Sequence, residues 1–211
     1  MPGPKIPKSA RPGQIEKSAK QRIIAGTRAH FFAHGFRSVT MDDLAEELGM
    51  SKKTLYAHFP SKTALLKAVL ADKFQRIDTD LQEVTSGRLS DIISTMRQFL
   101  ACLHRHLQEI QPSFVRDLNR NAPEIFKSIQ SNRRTVIEKH FGRLLSEGRR
   151  KGIVRKDIPP TLMIEILLGT MDSIANPSKI VELRTTPDIA LSAILTIFFD
   201  GVITKPTRSK P

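Results

Sequence analysis

The residues best equipped for chemistry lie close together. Thr40, Lys52, Lys53, Thr54, Tyr56, His58 and Lys62 bring hydroxyls, ammonium groups and an imidazole into one stretch, TMDDLAEELGMSKKTLYAHFPSK. Such groups bind phosphate oxygens and read base edges, which is the chemistry of nucleic-acid recognition. Catalysis would ask for a nucleophile with its base, or a glycine-rich phosphate loop. The chain has no G-x-G-x-x-G, G-x-x-x-x-G-K, H-E-x-x-H or G-x-S-x-G, so no enzymatic activity is expected. The histidines (His30, His34, His58, His104, His106 and His140) raise the question of a metal. His104 and His106 stand two apart, which on a helix points them about 200 degrees from each other, and one ion cannot take both. No metal and no cofactor is expected. Cys102 stands alone, which excludes an intramolecular disulfide, and it reads as a small buried hydrophobe.

The recognition side chains need a frame, and their neighbours describe one. Ile23, Ile24, Phe31 and Phe32 share a helical face that Gly35 ends. Thr40 is placed as an N-cap with Asp43 at N3, and Val39 with Leu44 forms the apolar staple. Gly49 closes this second helix. Ser51 caps a third, with Met50 and Leu55 as its staple, and Pro60 stops it. Ser61 then caps a long helix carrying Leu66, Val69, Leu70, Phe74, Ile77 and Leu81. Ala45 at the crossing, Gly49 at the turn, and Leu44, Leu48 and Leu55 between the helices have the mechanics of a helix-turn-helix.

The stretch Ile23 to Leu70 resembles the DNA-binding region of TetR family transcriptional regulators, from AHFFAHGF through VTMDDLAEELGMSKKTLYAHFPSKTALLKAVL. The resemblance covers about a quarter of the chain, and every position of the family's G-(F/Y)…A-x-x-x-G…Y-x-(H/Y)-F-x-(S/N)-K pattern is met. It implies phosphate contacts from Thr40, Tyr56 and Lys62, base reading by Lys52, Lys53, Thr54 and His58, and a core place for Phe59. It implies further a homodimer on a palindromic double-stranded DNA operator, acting as a repressor released by a small-molecule effector.

The rest of the chain reads as longer helices, giving an all-α protein of about nine in total. The expected division is a basic disordered arm over 1–13, the helix-turn-helix domain over 14–65, an effector-binding and dimerisation bundle over 66–204, and a disordered tail over 205–211. The segments from Pro160 to Ala175 and from Asp188 to Ile203 are apolar around most of their circumference, which calls for a second subunit as cover. Leu162, Ile166, Ile174, Leu195 and Phe199 are the expected interface. Phe99, Leu103, Phe114, Phe126, Phe141, Met163, Leu167 and Met171 either fill a core or line a mostly apolar effector pocket, with His106, Arg116, Asn119 and Arg133 as polar handles.

Composition sets the outer bounds. With 39% hydrophobic and 26% charged residues the chain is a folding one, and 34 Lys and Arg against 21 Asp and Glu give a net charge of +13 that suits an anionic partner. The excess does not locate that partner, since it is 13 against 6 up to Gln75 and 21 against 15 beyond. Lys5, Lys8 and Arg11, with Lys17 and Lys20, either follow the minor groove or form a solvated tail. No secretory signal and no bilayer-length apolar run is visible, so a cytoplasmic, nucleoid-associated protein without membrane contact is expected. A nonspecific basic binder of nucleic acid is the competing reading.

Overall fold

The computed structural model describes residues 12–86, 91–174 and 176–203. Most of the expected arm, all of the expected tail and Gly87 lie outside these residues. Ten helices are described: α1 (Pro12–His34), α2 (Met41–Glu47), α3 (Lys52–His58), α4 (Lys62–Ser86), α5 (Ile92–Gln108), α6 (Pro112–Asn121), α7 (Pro123–Arg150), α8 (Pro160–Ile174), α9 (Pro177–Glu182) and α10 (Pro187–Val202). The one beyond expectation is α9. Asn176 caps it by accepting from the Lys179 amide at 2.9 Å, and Pro177 occupies its first position. Asn-Pro is a start signal. A helix of six residues is too short to show a period.

The local chemistry of the head is as expected. Thr40 accepts from the Asp43 amide (3.1 Å) while the Asp43 carboxylate accepts from the Thr40 amide (2.9 Å), a reciprocal cap for α2. Ser51 does the same one-sidedly for α3. Gly49 turns the chain between them at φ +60°, a conformation that a side chain makes costly. Gly35 ends α1 at φ +88°, and a Cβ there would also lie 2.9 Å from the Asp117 carboxylate.

Two cores result. The first joins Ile23, Phe31, Phe32, Leu44, Leu55, Leu65 and Leu66 to Phe114 and Leu118 of α6 and Ile125 of α7. The head therefore does not stop at residue 65. The α6 helix packs on its back, with the Phe32 and Phe114 rings 5.2 Å apart, and is tied there by Gln111 N–H to Phe32 C=O (3.2 Å) and Arg37 N–H to Asp117 (2.6 Å). The second core is the bundle, with Leu81, Ile92, Met96, Phe99, Phe141, Leu144, Met163, Leu167 and Ile194.

Between the cores runs a charged seam. Arg28 of α1 meets Asp72 of α4 at 3.2 Å, and Arg76 meets the same carboxylate at 2.7 Å. Lys73 sits in the middle of the apolar stripe of α4, only 3% exposed, because Glu109 (2.7 Å) and His106 Nδ1 (3.1 Å) receive its ammonium. A lone buried cation would be prohibitive, so the partners are what admit it. Deeper in the bundle α4 is clamped to α7. Lys139 donates to both Asp78 oxygens (2.7 and 2.8 Å), His140 Nε2 donates to the same carboxylate (2.8 Å), and Thr85 lies 3.2 Å from His140 Nδ1. Lys139 and His140 hold the Asp78 carboxyl below its usual range.

Candidate nucleic-acid interface

The apolar side of α3 is spent on Leu55, fully buried against Leu44 and Ala45, and Phe59 is buried just beyond it. This leaves Lys52, Lys53, Thr54 and Tyr56 exposed and His58 half-buried on a helix presented outward. Thr40 is exposed at the N-cap of α2. Lys62, at the start of α4, donates to the Val39 carbonyl at 2.8 Å and the Arg37 carbonyl at 3.4 Å, and its ammonium stands 4.6 Å from the centre of the Phe36 ring. Val39 is the neighbour of Thr40 in the chain, so Thr40 and Lys62 share one corner. All seven expected side chains thus lie on α3, at the N-cap of α2 or at the start of α4, and none is fully buried.

Several of them are already engaged. Lys52 bonds both oxygens of Asp42 on α2 (2.7 and 2.9 Å), which raises its pKa. The Thr54 hydroxyl lies 2.8 Å from the Ser51 hydroxyl. Asp42 carries no sign of this role in the sequence, because a link between residues ten apart exists only once the turn at Gly49 is made. Lys53 and Tyr56 have no hydrogen bond or ion pair among the described residues.

The expected effector lining is not one surface. Phe99, Phe141, Met163, Leu167 and Met171 are buried in the bundle core with Leu103 packed against them, and Phe99 stacks on Phe141 at 5.3 Å. They fill that core. Phe114 and Phe126 go elsewhere, to the head core, because α6 is bonded to the end of α1. A cleft of about 590 Å³ lies instead between the first half of α4 and the α6–α7 corner, and none of the eight residues lines it. Of the polar handles, Arg133 pairs with Asp172 and His106 with Lys73 and Asp80.

The expected subunit interface divides as well. Leu162 and Ile166 are 50% and 48% exposed on α8. Ile174, Leu195 and Phe199 turn partly inward, and Phe199 sets its edge against Phe141 at 5.9 Å. The outer side of α10 belongs to Ile189 and Ile197, 62% and 74% exposed; Ile197 stands two residues from both Leu195 and Phe199, about 200 degrees around the helix.

On α5, His104 and His106 diverge as expected. His104 is within 2.8 Å of Gln108 while His106 turns inward. The Cys102 sulfur, a His106 nitrogen and an Asp80 oxygen come within 4.8 Å of one another, an i, i+4 pairing that the sequence pattern hides behind two histidines. Both ring nitrogens are already engaged, Nδ1 by the Lys73 ammonium and Nε2 by Asp80 at 2.9 Å, and the lysine charge stands beside the place an ion would take. Burial and that charge lower the His106 pKa, and burial raises that of Cys102. No helix among the described residues is long and apolar enough to cross a membrane.

Residues 23–69 match the family described as "Bacterial regulatory proteins, tetR family". Over 188 residues the chain is 26% identical to the uncharacterised HTH-type transcriptional regulator YvaF of Bacillus subtilis, covering 86% of this chain and 94% of that one. It is 39% identical over 64 residues, 30% of each chain, to the HTH-type transcriptional repressor KstR of Rhodococcus jostii. Among solved structures, the reduced form of E. coli NemR superposes with a TM-score of 0.67 at 17% identity, over 90% of this chain and all of that one, which is a likeness of fold.

Proposed function

The chain belongs to the TetR family of transcriptional regulators, and we propose that it represses transcription as a homodimer seated on a palindromic operator. The observation that carries this reading is the outward face of α3: Leu55 anchors the helix from below while Lys52, Lys53, Thr54, Tyr56 and His58 stay accessible. In this reading Thr40, Tyr56 and Lys62 hold phosphates, and Lys52, Lys53, Thr54 and His58 face base edges in the major groove. The exposed apolar faces of α8 and α10 close on a second copy, which sets the two α3 helices about 34 to 36 Å apart, one turn of the duplex. A small molecule then releases the protein by favouring a different spacing. The setting is the cytoplasm, on the nucleoid.

The test is selection of bound duplexes from a random pool, followed by competition. One enriched palindrome, released by itself and not by equal amounts of unrelated duplex, is the expected result. Equal displacement by any duplex would favour the nonspecific basic binder, a reading that the net charge alone also accommodates.

A further inference from the structure

The first halves of α4 and α7 stand apart, and the cleft of about 590 Å³ opens between them. One wall is the α4 stripe of Lys67, Leu70, Ala71 and Phe74. The other is the α7 stripe of Ile125, Ile129 and Asn132, and Phe36 from the turn after α1 closes the end toward the head. The volume is that of an ordinary small-molecule site. Its walls are apolar in the middle, and its charges do not balance. Glu124 at the rim is paired with Lys127 at 3.2 Å, whereas Lys67 has no carboxylate or hydrogen-bond partner among the described residues.

The cleft also sits at a mechanical joint. Farther along, Asp78 and Thr85 of α4 are pinned to Lys139 and His140 of α7. The near ends are held only through the head, since α6 and the first turn of α7 share its core. A molecule wedged between the free ends would rotate α4 about that clamp and carry α3 with it.

We propose that this cleft, and not the filled bundle core, is the effector site, and that it takes a small molecule with an apolar body and one anionic group that meets Lys67. The proposal rests on the DNA-binding reading for its regulatory half only. Occupancy and DNA binding oppose each other, and the linkage is reciprocal.

Two probes of one shape test it on the full chain: anilinonaphthalene sulfonate, which carries the anion, and N-phenylnaphthylamine, which lacks it. Wild type binds both. Lys67→Gln weakens the sulfonate about fivefold, as a partly exposed ion pair allows, and leaves the neutral probe unchanged. Ala71→Phe and Asn132→Phe fill the cleft from its two walls; both positions are exposed, so the cores are untouched, and either variant loses both probes at an unchanged melting midpoint. Undiminished binding in both filled variants would overturn the site. Equal weakening of both probes by Lys67→Gln, or of neither, would overturn the anionic class. Saturating sulfonate probe lowers operator affinity in wild type and not in Ala71→Phe; an affinity that does not move would overturn the effector role. A chain that shows no duplex preference at all would sink the DNA-binding reading instead, and the probe titrations would still decide the site.

Discussion

Replacing Lys62 by methionine keeps the stem and removes the ammonium, and its consequence is twofold. In the free protein that ammonium ties the start of α4 to the Val39 and Arg37 carbonyls and lies over Phe36. A hydrogen bond from a charged donor contributes about 1.5 to 3 kcal/mol, and the lower figure suits a half-exposed group with one good bond. The aromatic contact adds about 0.5 kcal/mol. A loss near 2 kcal/mol lowers the melting midpoint of a chain of this size by about 4 to 8 °C. In the proposed DNA-bound dimer the same change removes a phosphate contact in each subunit, so affinity should fall for every duplex alike and the salt slope flatten by about 0.9 per subunit. Thermal unfolding and titrations at several salt concentrations measure the two effects separately. An unchanged midpoint would refute the anchoring of the turn, and loss of preference at one base pair only would refute the phosphate role.

Asp42→Asn frees Lys52 from its ion pair, and since exposed pairs are worth up to about 1 kcal/mol, affinity for unrelated duplex rises by up to about fivefold per subunit with a steeper salt slope; unchanged nonspecific affinity would show that the pair does not restrain Lys52. Ile197→Glu places a charge on the most exposed apolar position of α10 and leaves the subunit's core intact, so it yields a folded monomer with weak half-site binding, whereas Phe199→Glu also breaks the contact with Phe141 and lowers the melting midpoint. A dimeric Ile197→Glu in sedimentation would move the interface off this face. The lowered pKa of His106 makes stability depend on pH in a set direction: the unfolded chain takes the proton near 6.5 and the folded one at lower pH, so this contribution is whole above 6.5 and is lost as pH falls through the folded value. Denaturant unfolding across that range should show the slope in wild type and a flatter one in His106→Gln; equal slopes would place the titration elsewhere.

What was legible in the sequence is what is decided within a few residues. Thr40 and Asp43 cap each other across one helical turn, Gly49 makes the turn between α2 and α3, and Leu44, Leu55 and Phe59 are apolar at positions that only a core can use. Hence α3 and its outward side chains follow from spacing alone. The misplacements all involve partners far away in the chain. Phe114 and Phe126 have the pattern of bundle residues, but the bonds from Gln111 and Asp117 to the end of α1 carry them to the head. Lys73 breaks the α4 stripe because His106 on α5 and Glu109 at its C-cap receive it, and His106 in turn takes the inward place that Leu107, 40% exposed, would hold by hydrophobicity. On α10, twelve apolar or small neighbours leave the phase of the helix open, and only contact with Phe141 decides that Phe199 turns in and Ile197 out.

The same long-range bonds define what can move. With α6 fastened to α1 and α2–α3 anchored through Lys62, the reading head is one body that includes the corner at Ala122 and Pro123. The bundle is a second body, closed by Phe99, Phe141 and the α8–α10 contacts and clamped to α4 at Asp78. Helices α4 and α7 pass from one to the other, and the chain crosses once more at the short link between α5 and α6. A change in the angle between head and bundle must therefore bend or pivot α4 and α7, and their separation is least restrained where the cleft holds them apart. The ion pairs of Arg28 with Asp72 and of Lys73 with Glu109 bridge the seam on its opposite side, and because Lys73 and Asp72 are little exposed these pairs hold that side together. A filled apolar core resists deformation, whereas an open cleft hinged on an ion-paired seam yields to a wedge. On the proposal that the cleft is the effector site, this asymmetry gives a molecule between α4 and α7 more leverage on the head than one inside the bundle would have.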